Sequence, residues 1–117
     1  SESAAKAIQQ LYPQHIPLTV EDLSHNEQAN QLFAQLIQEK HHIEKHQNNF
    51  DETKHQIQML MRDAERATFA NGSVTWKKSK DSIGLDSKAL LKLHPEMLEQ
   101  FPQNKAGTRR FQIYTND

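Results

Sequence analysis

Residues 24–70 read SHNEQANQLFAQLIQEKHHIEKHQNNFDETKHQIQMLMRDAERATFA, and the period hidden in this stretch decides the fold. Ala29, Leu36, Ile43, Phe50, Ile57 and Ala64 recur at seven-residue intervals, so a continuous helix carries them as one nearly straight apolar line. No proline or glycine interrupts it. Ser24 followed by Glu27 is a capping-box start, in which hydroxyl and carboxylate each satisfy a free backbone N–H of the first turn. Asn71-Gly72 supplies the stop, because both residues tolerate the left-handed backbone that ends helices. Such a helix is about 65 Å long at about 1.5 Å per residue, longer than a compact domain of 117 residues wraps around.

The apolar line is double at its ends and single in the middle. Leu32, Phe33 and Ile37 thicken it near the start, and Leu60, Met61 and Ala67 near the end. Between them the second seam of a coiled coil holds Glu39 or Lys40, His46 or Gln47, and Thr53 or Lys54. A seam that polar buries no wide face, so the two ends are expected to pack on other elements while the middle makes a thin contact or stands in solvent. A rival reading breaks the helix at Asn48-Asn49, with Asn49 as a new cap and Glu52 completing its box. The heptad keeps its phase from Ile43 through Phe50 to Ile57, which favours continuity.

Upstream, Glu2 to Tyr12 sets Ala5, Ile8, Leu11 and Tyr12 on one side of a short helix that Pro13 ends. Pro17 keeps the next residues extended, and Thr19 is placed to cap a single turn through Leu23. Downstream the period becomes two. Val74 and Trp76 point one way and Thr75 and Lys77 the other, as in a half-buried strand. Residues 82–85 suit a second short strand or a loop. Asp86 or Ser87 then caps a helix with Leu90, Leu91 and Leu93, and Pro95 opens another turn with Met97, Leu98 and Phe101 before Pro102 closes it. In residues 108–114, Arg109, Phe111 and Ile113 alternate against Arg110, Gln112 and Tyr114, which predicts a last strand antiparallel to the one at Val74. The expected class is α+β: a long, coiled-coil-like helix, a short N-terminal helix, and a small C-terminal antiparallel sheet covered by short helices. The expected divisions are 1–23, 24–70 and 71–117.

Composition narrows the function classes. With 35% hydrophobic and 25% charged residues, the chain suits one small domain plus an extended element. No apolar run approaches the roughly 20 residues that span a bilayer, so membrane insertion is not expected. The absence of cysteine rules out disulfides and thiolate metal sites and suits a reducing, cytoplasmic setting. Residues 1–70 hold six Lys and Arg against ten Asp and Glu, net −4, and residues 71–117 hold eight against five, net +3. A basic end beside an acidic helical part predicts contact with a polyanion at that end.

Five short motifs then stand in order: Asp63-Ala64-Glu65 closing the long helix; Gly72 with Val74-Thr75-Trp76-Lys77; Asp86-Ser87-Lys88; His94-Pro95-Glu96; and Thr108-Arg109-Arg110-Phe111. This run resembles the C-terminal part of the YqaJ-type phage recombinase nucleases, exonucleases of the restriction-endonuclease-like class. Leu11-Tyr12-Pro13 and the charged helix look like the region that follows the catalytic core in that family, so the resemblance covers nearly the whole chain. It departs after His-Pro-Glu, where the family more often has aromatic residues and this chain has Met97-Leu98. The resemblance implies a phage or prophage parent that acts in DNA recombination, binding double-stranded DNA and degrading it with magnesium or manganese. The chain itself lacks an Asp…Glu-x-Lys set on paired strands, so the chemistry is expected upstream of Ser1, in keeping with an opening Ser-Glu-Ser that lacks an initiator methionine. It is therefore expected to be non-catalytic, with no cofactor of its own.

The candidate DNA contacts are Lys77, Lys78, Lys80, Lys88, Arg109 and Arg110, since Lys and Arg neutralise phosphates and release counterions. Trp76 suits base stacking, but its shared face with Val74 favours a core role. His42 and His46 stand at i, i+4 on one helix face, a spacing that can hold zinc, with Glu39 three residues before His42. A structural zinc site normally takes four ligands, and the middle of this helix is expected to be exposed, so no metal is expected there. His94 before Pro95 is read as serving the turn. No phosphate loop, nucleophile elbow or carboxylate pair is present. Two functions follow as expectations. One is an accessory DNA-contacting domain of a phage-type nuclease. The other is a structural, oligomerising or partner-docking segment without DNA binding, whose partner is an annealing protein or a second copy laid antiparallel along the long helix.

Overall fold

Asn26 opens the long helix: its side-chain oxygen accepts from the Ala29 N–H at 2.9 Å, and Glu27 in the first turn complements the helix dipole. In the structure, a computed structural model that describes residues 1–116, the elements in order are α1 (Glu2–Leu11), α2 (Glu27–Met61), β1 (Arg66–Phe69), β2 (Gly72–Thr75), α3 (Ser87–Leu93) and α4 (Met97–Gln100). The class is α+β, as expected. The chain divides into two compact units, Glu21–Ser82 and Ser1–Val20 together with the stretch from Ile83 onward.

In the Glu21–Ser82 unit, α2 runs for 35 residues straight through Asn48-Asn49, about 52 Å at about 1.5 Å per residue. The predicted Ser24 cap is displaced by two residues. Asp22 accepts from the Ser24 N–H at 3.0 Å, and Asn26 N–H closes a turn on the Leu23 carbonyl at 3.0 Å, so Ser24 lies inside a turn. The Asn30 side chain then ties that turn to the helix, donating to the carbonyls of Leu23, Ser24 and Asn26.

The helix stops at Met61, well short of the expected Ala70. Ala64 N–H bonds the Met61 carbonyl at 3.0 Å, and Arg62 between them takes φ 53°, ψ −117°, the geometry of the first central residue of a type II′ turn. The chain reverses into β1, which pairs antiparallel with β2 in the register Arg66↔Thr75, Ala67↔Val74, Thr68↔Ser73, Phe69↔Gly72. Trp76 N–H extends the ladder to the Glu65 carbonyl at 2.9 Å. The partner of the Val74 strand is thus β1, not residues 108–114, which form no strand, and residues 82–85 form none either. The boundary expected between residues 70 and 71 falls in the turn of this hairpin. Val74 and Trp76 share a side, as their alternation requires, and line one groove with Ile57 and Met61 of α2. Met61, 6% exposed, is the one buried apolar residue among those described.

In the other unit, Ser1 caps α1 by accepting from Ala4 N–H at 3.2 Å, and Tyr12 with Pro13 ends it. The predicted cap at Thr19 is a turn instead. Its hydroxyl donates back to the Ile16 carbonyl at 2.7 Å, across Pro17 and a Leu18 held at φ 64°. Asp86 caps α3 through Ala89 N–H at 3.0 Å, and α4 is a single turn after Pro95.

Candidate docking face and nucleic-acid contacts

Two apolar grooves lie along α2. The first, near its N-terminal end, is walled by Leu23, Ala29, Leu32, Phe33 and Leu36 with Glu39 on its rim. The second has a volume of about 310 Å³ and lies where the helix meets the hairpin. Phe50, Ile57, Met61, Val74 and Trp76 wall it, with Lys54 on its rim. At 3.6 residues per turn, residues seven apart drift by about 20° around a helix, so the apolar line winds by about 60° from Leu36 in the first groove to Ile57 in the second. Between them the line continues through Ile43, which is 69% exposed. Phe33 at 45% and Phe50 at 63% are also open to solvent.

The polar side chains of α2 are tied to each other along the helix. Gln35 donates to Glu39 at 2.9 Å and Gln47 to Asp51 at 3.0 Å, and Lys40 pairs with Glu44. The hydrogen bond from Lys40, reinforced by its charge, holds the Glu44 carboxyl below the usual carboxylate range. The Ser24 side chain and N–H do the same to Asp22.

The candidate DNA contacts do not form one cluster within one unit. Lys77, Lys78 and Lys80 follow β2 in the α2 unit, and Lys88, Arg109 and Arg110 belong to the other. Lys78 pairs with Asp81 at 3.1 Å. Lys88 lies in the first turn of α3. Arg109 is engaged within its own unit, where its guanidinium donates to the Tyr12 carbonyl at 3.1 Å and to that of Gln14 at 3.5 Å. The first of these bonds joins the end of α1 to a segment 97 residues away in sequence. Nothing in the local sequence around Arg109 signals it. Arg110 lines a groove with Ile8, Tyr12 and Phe111. Trp76, expected in a core, is 48% exposed while walling the second groove.

His42 borders a shallow hollow with Glu39 and Ile43. Among the described residues no three His, Cys, Asp or Glu side chains converge as a metal-binding group, and His42 with His46 offers only the helical spacing. His94 ends α3 with its N–H on the Leu90 carbonyl at 2.7 Å, and its ring Nδ1 lies 3.3 Å from Glu96, so the His-Pro-Glu motif serves a turn. Among the described residues no helix is long and apolar enough to cross a membrane. No family model matches the chain, and neither a curated protein nor a solved structure does.

Proposed function

We propose that the chain is a non-catalytic docking segment of a phage-type DNA nuclease or recombinase, joined to its assembly through the apolar face of α2. The observation that carries this reading is the exposure of that face along its length, with Phe33 and Phe50 open in the two apolar grooves and Ile43 open between them. Burying one Phe or Ile side chain contributes about 1.5–3 kcal/mol, and exposed apolar grooves rimmed by polar residues suit an interaction site. The tie to a DNA-processing parent rests on the five ordered motifs, and a cytoplasmic setting goes with it. The reading predicts that the chain binds a reporter dye such as anilinonaphthalene sulfonate at low concentration, and that Phe33→Asp and Phe50→Asp abolish this while helix content is kept. Dye binding unchanged in both variants overturns it.

A second reading, direct DNA contact, is favoured by one observation: Lys77, Lys78 and Lys80 follow a half-exposed Trp76 on a segment outside helix and strand, an arrangement suited to phosphates and a stacked base. In either case, double-stranded DNA is hydrolysed elsewhere in the parent with magnesium or manganese. Incubating the chain with duplex DNA and either metal is expected to leave the DNA intact, because hydrolysis needs fixed oxygen ligands to position the ion. Metal-dependent cleavage that survives repurification overturns the non-catalytic assignment.

A further inference from the structure

We propose that the occupant of the α2 face is a second copy of this chain, laid antiparallel about a two-fold axis between His46 and Gln47. This rests on the docking reading and adds the partner. The argument is self-complementarity. With the axis at that point, Leu36 of one copy meets Ile57 of the other, Ile43 meets Phe50, and Phe33 meets Leu60, each contact occurring twice as an isologous interface requires. The Phe33 and Leu36 ridge that walls the first groove thereby faces the second groove, between the helix end and Trp76, and each copy fills the other's.

Charge fixes the direction. The same axis brings Glu39, on the rim of one groove, opposite Lys54, on the rim of the other. A parallel pair in register sets Glu39 beside Glu39 and Lys54 beside Lys54, which costs free energy twice over. Neither side chain is committed to a strong partner within its own copy: Glu39 accepts from neutral Gln35, and Lys54 stands 3.8 Å from Asp51. His46 and Gln47 at the axis are polar, so the centre of the contact adds little and the two end grooves supply most of the affinity.

The experiment is sedimentation of the 117-residue chain across the micromolar to millimolar range, with helix content checked by circular dichroism. Expected is a monomer–dimer equilibrium that Glu39→Lys or Lys54→Glu weakens about tenfold or more and that the double exchange restores; about tenfold corresponds to about 1.4 kcal/mol. A parallel pair gives no such rescue. Because the chain has no cysteine, Glu39→Cys mixed with Lys54→Cys reports orientation directly: mixed disulfides support the proposal, and a preponderance of like-with-like disulfides overturns it. A chain that stays monomeric at every concentration, yet binds the reporter dye through Phe33 and Phe50, overturns the second copy and leaves the docking reading intact for another partner. A monomer that binds no dye overturns both.

Discussion

Two non-glycine residues among those described hold positive φ, Leu18 at 64° and Arg62 at 53°, and Arg62 is the more telling. Its ψ of −117° puts its Cβ in a region that glycine occupies without penalty, at a cost on the order of 1–3 kcal/mol for other residues. The reversal from α2 into β1 depends on that residue, since the Met61–Ala64 turn bond brackets it. Arg62→Gly is therefore expected to stabilise the α2 unit by about 1 kcal/mol, the relieved strain less the extra chain entropy of glycine. Urea unfolding measures this, and a loss of stability would mean that the Arg62 side chain itself holds the turn. Sequence offers no sign of this site: Arg62 stands where the apolar stripe predicts more helix, and a turn that ordinarily takes glycine is here made by arginine. The bonding of Arg109 is hidden for a different reason, because its acceptors at Tyr12 and Gln14 are brought to it only by the tertiary fold.

At the scale of elements, α2 is legible because its seven-residue period outweighs the one opposing signal, the cap at Asn49. From Ala29 to Ile57 the seven-residue period keeps its phase, and the helix crosses Asn48-Asn49 without a break. Its far end was not legible because Ala64 and Ala67 fit either period and Asn71-Gly72 signals either a helix stop or a hairpin. The hairpin prevails because β1 gains the whole ladder to Trp76, and it sets Val74 and Trp76 around one groove with Ile57 and Met61. At residues 108–114 alternation alone misled, since no neighbouring strand accepts the ladder. Within α2, the Lys40–Glu44 pair predicts a pH dependence. Glu44 is held below its ordinary value in the fold, so its contribution is present above the unfolded carboxylate value of about 4.3 and is lost as pH falls through the lower folded value. Helix content followed by circular dichroism should fall as pH drops below about 4.3, and Lys40→Gln should flatten part of that decline. An identical acid profile in the variant would show that the pair does nothing for the helix.

For the whole molecule, the charge division seen in sequence and the compact units of the fold are cut at different places. The net +3 of residues 71–117 is shared between the units, because Lys77, Lys78 and Lys80 go with α2. Glu21–Ser82 then carries eight Lys and Arg against ten Asp and Glu, net −2, and the remainder six against five, net +1. Neither unit is strongly basic, so any affinity for DNA must come from local clusters rather than a general field. If the second reading of function holds, binding to duplex DNA is weak and indifferent to sequence. It depends on salt with a slope of about −0.9 in log K against log salt for each phosphate neutralised. Replacing Lys77, Lys78 and Lys80 together with alanine should then flatten the slope by between about 2 and 3, because Lys78 spends part of its charge on Asp81. Asp81→Asn should free that lysine and strengthen binding at low salt. Arg109→Ala should act mainly on stability, by loosening the bond to α1, whereas Arg110→Ala tests a DNA contact more cleanly. A triple-lysine variant whose salt slope matches that of the unmodified chain would remove the DNA reading and leave docking as the function of this segment.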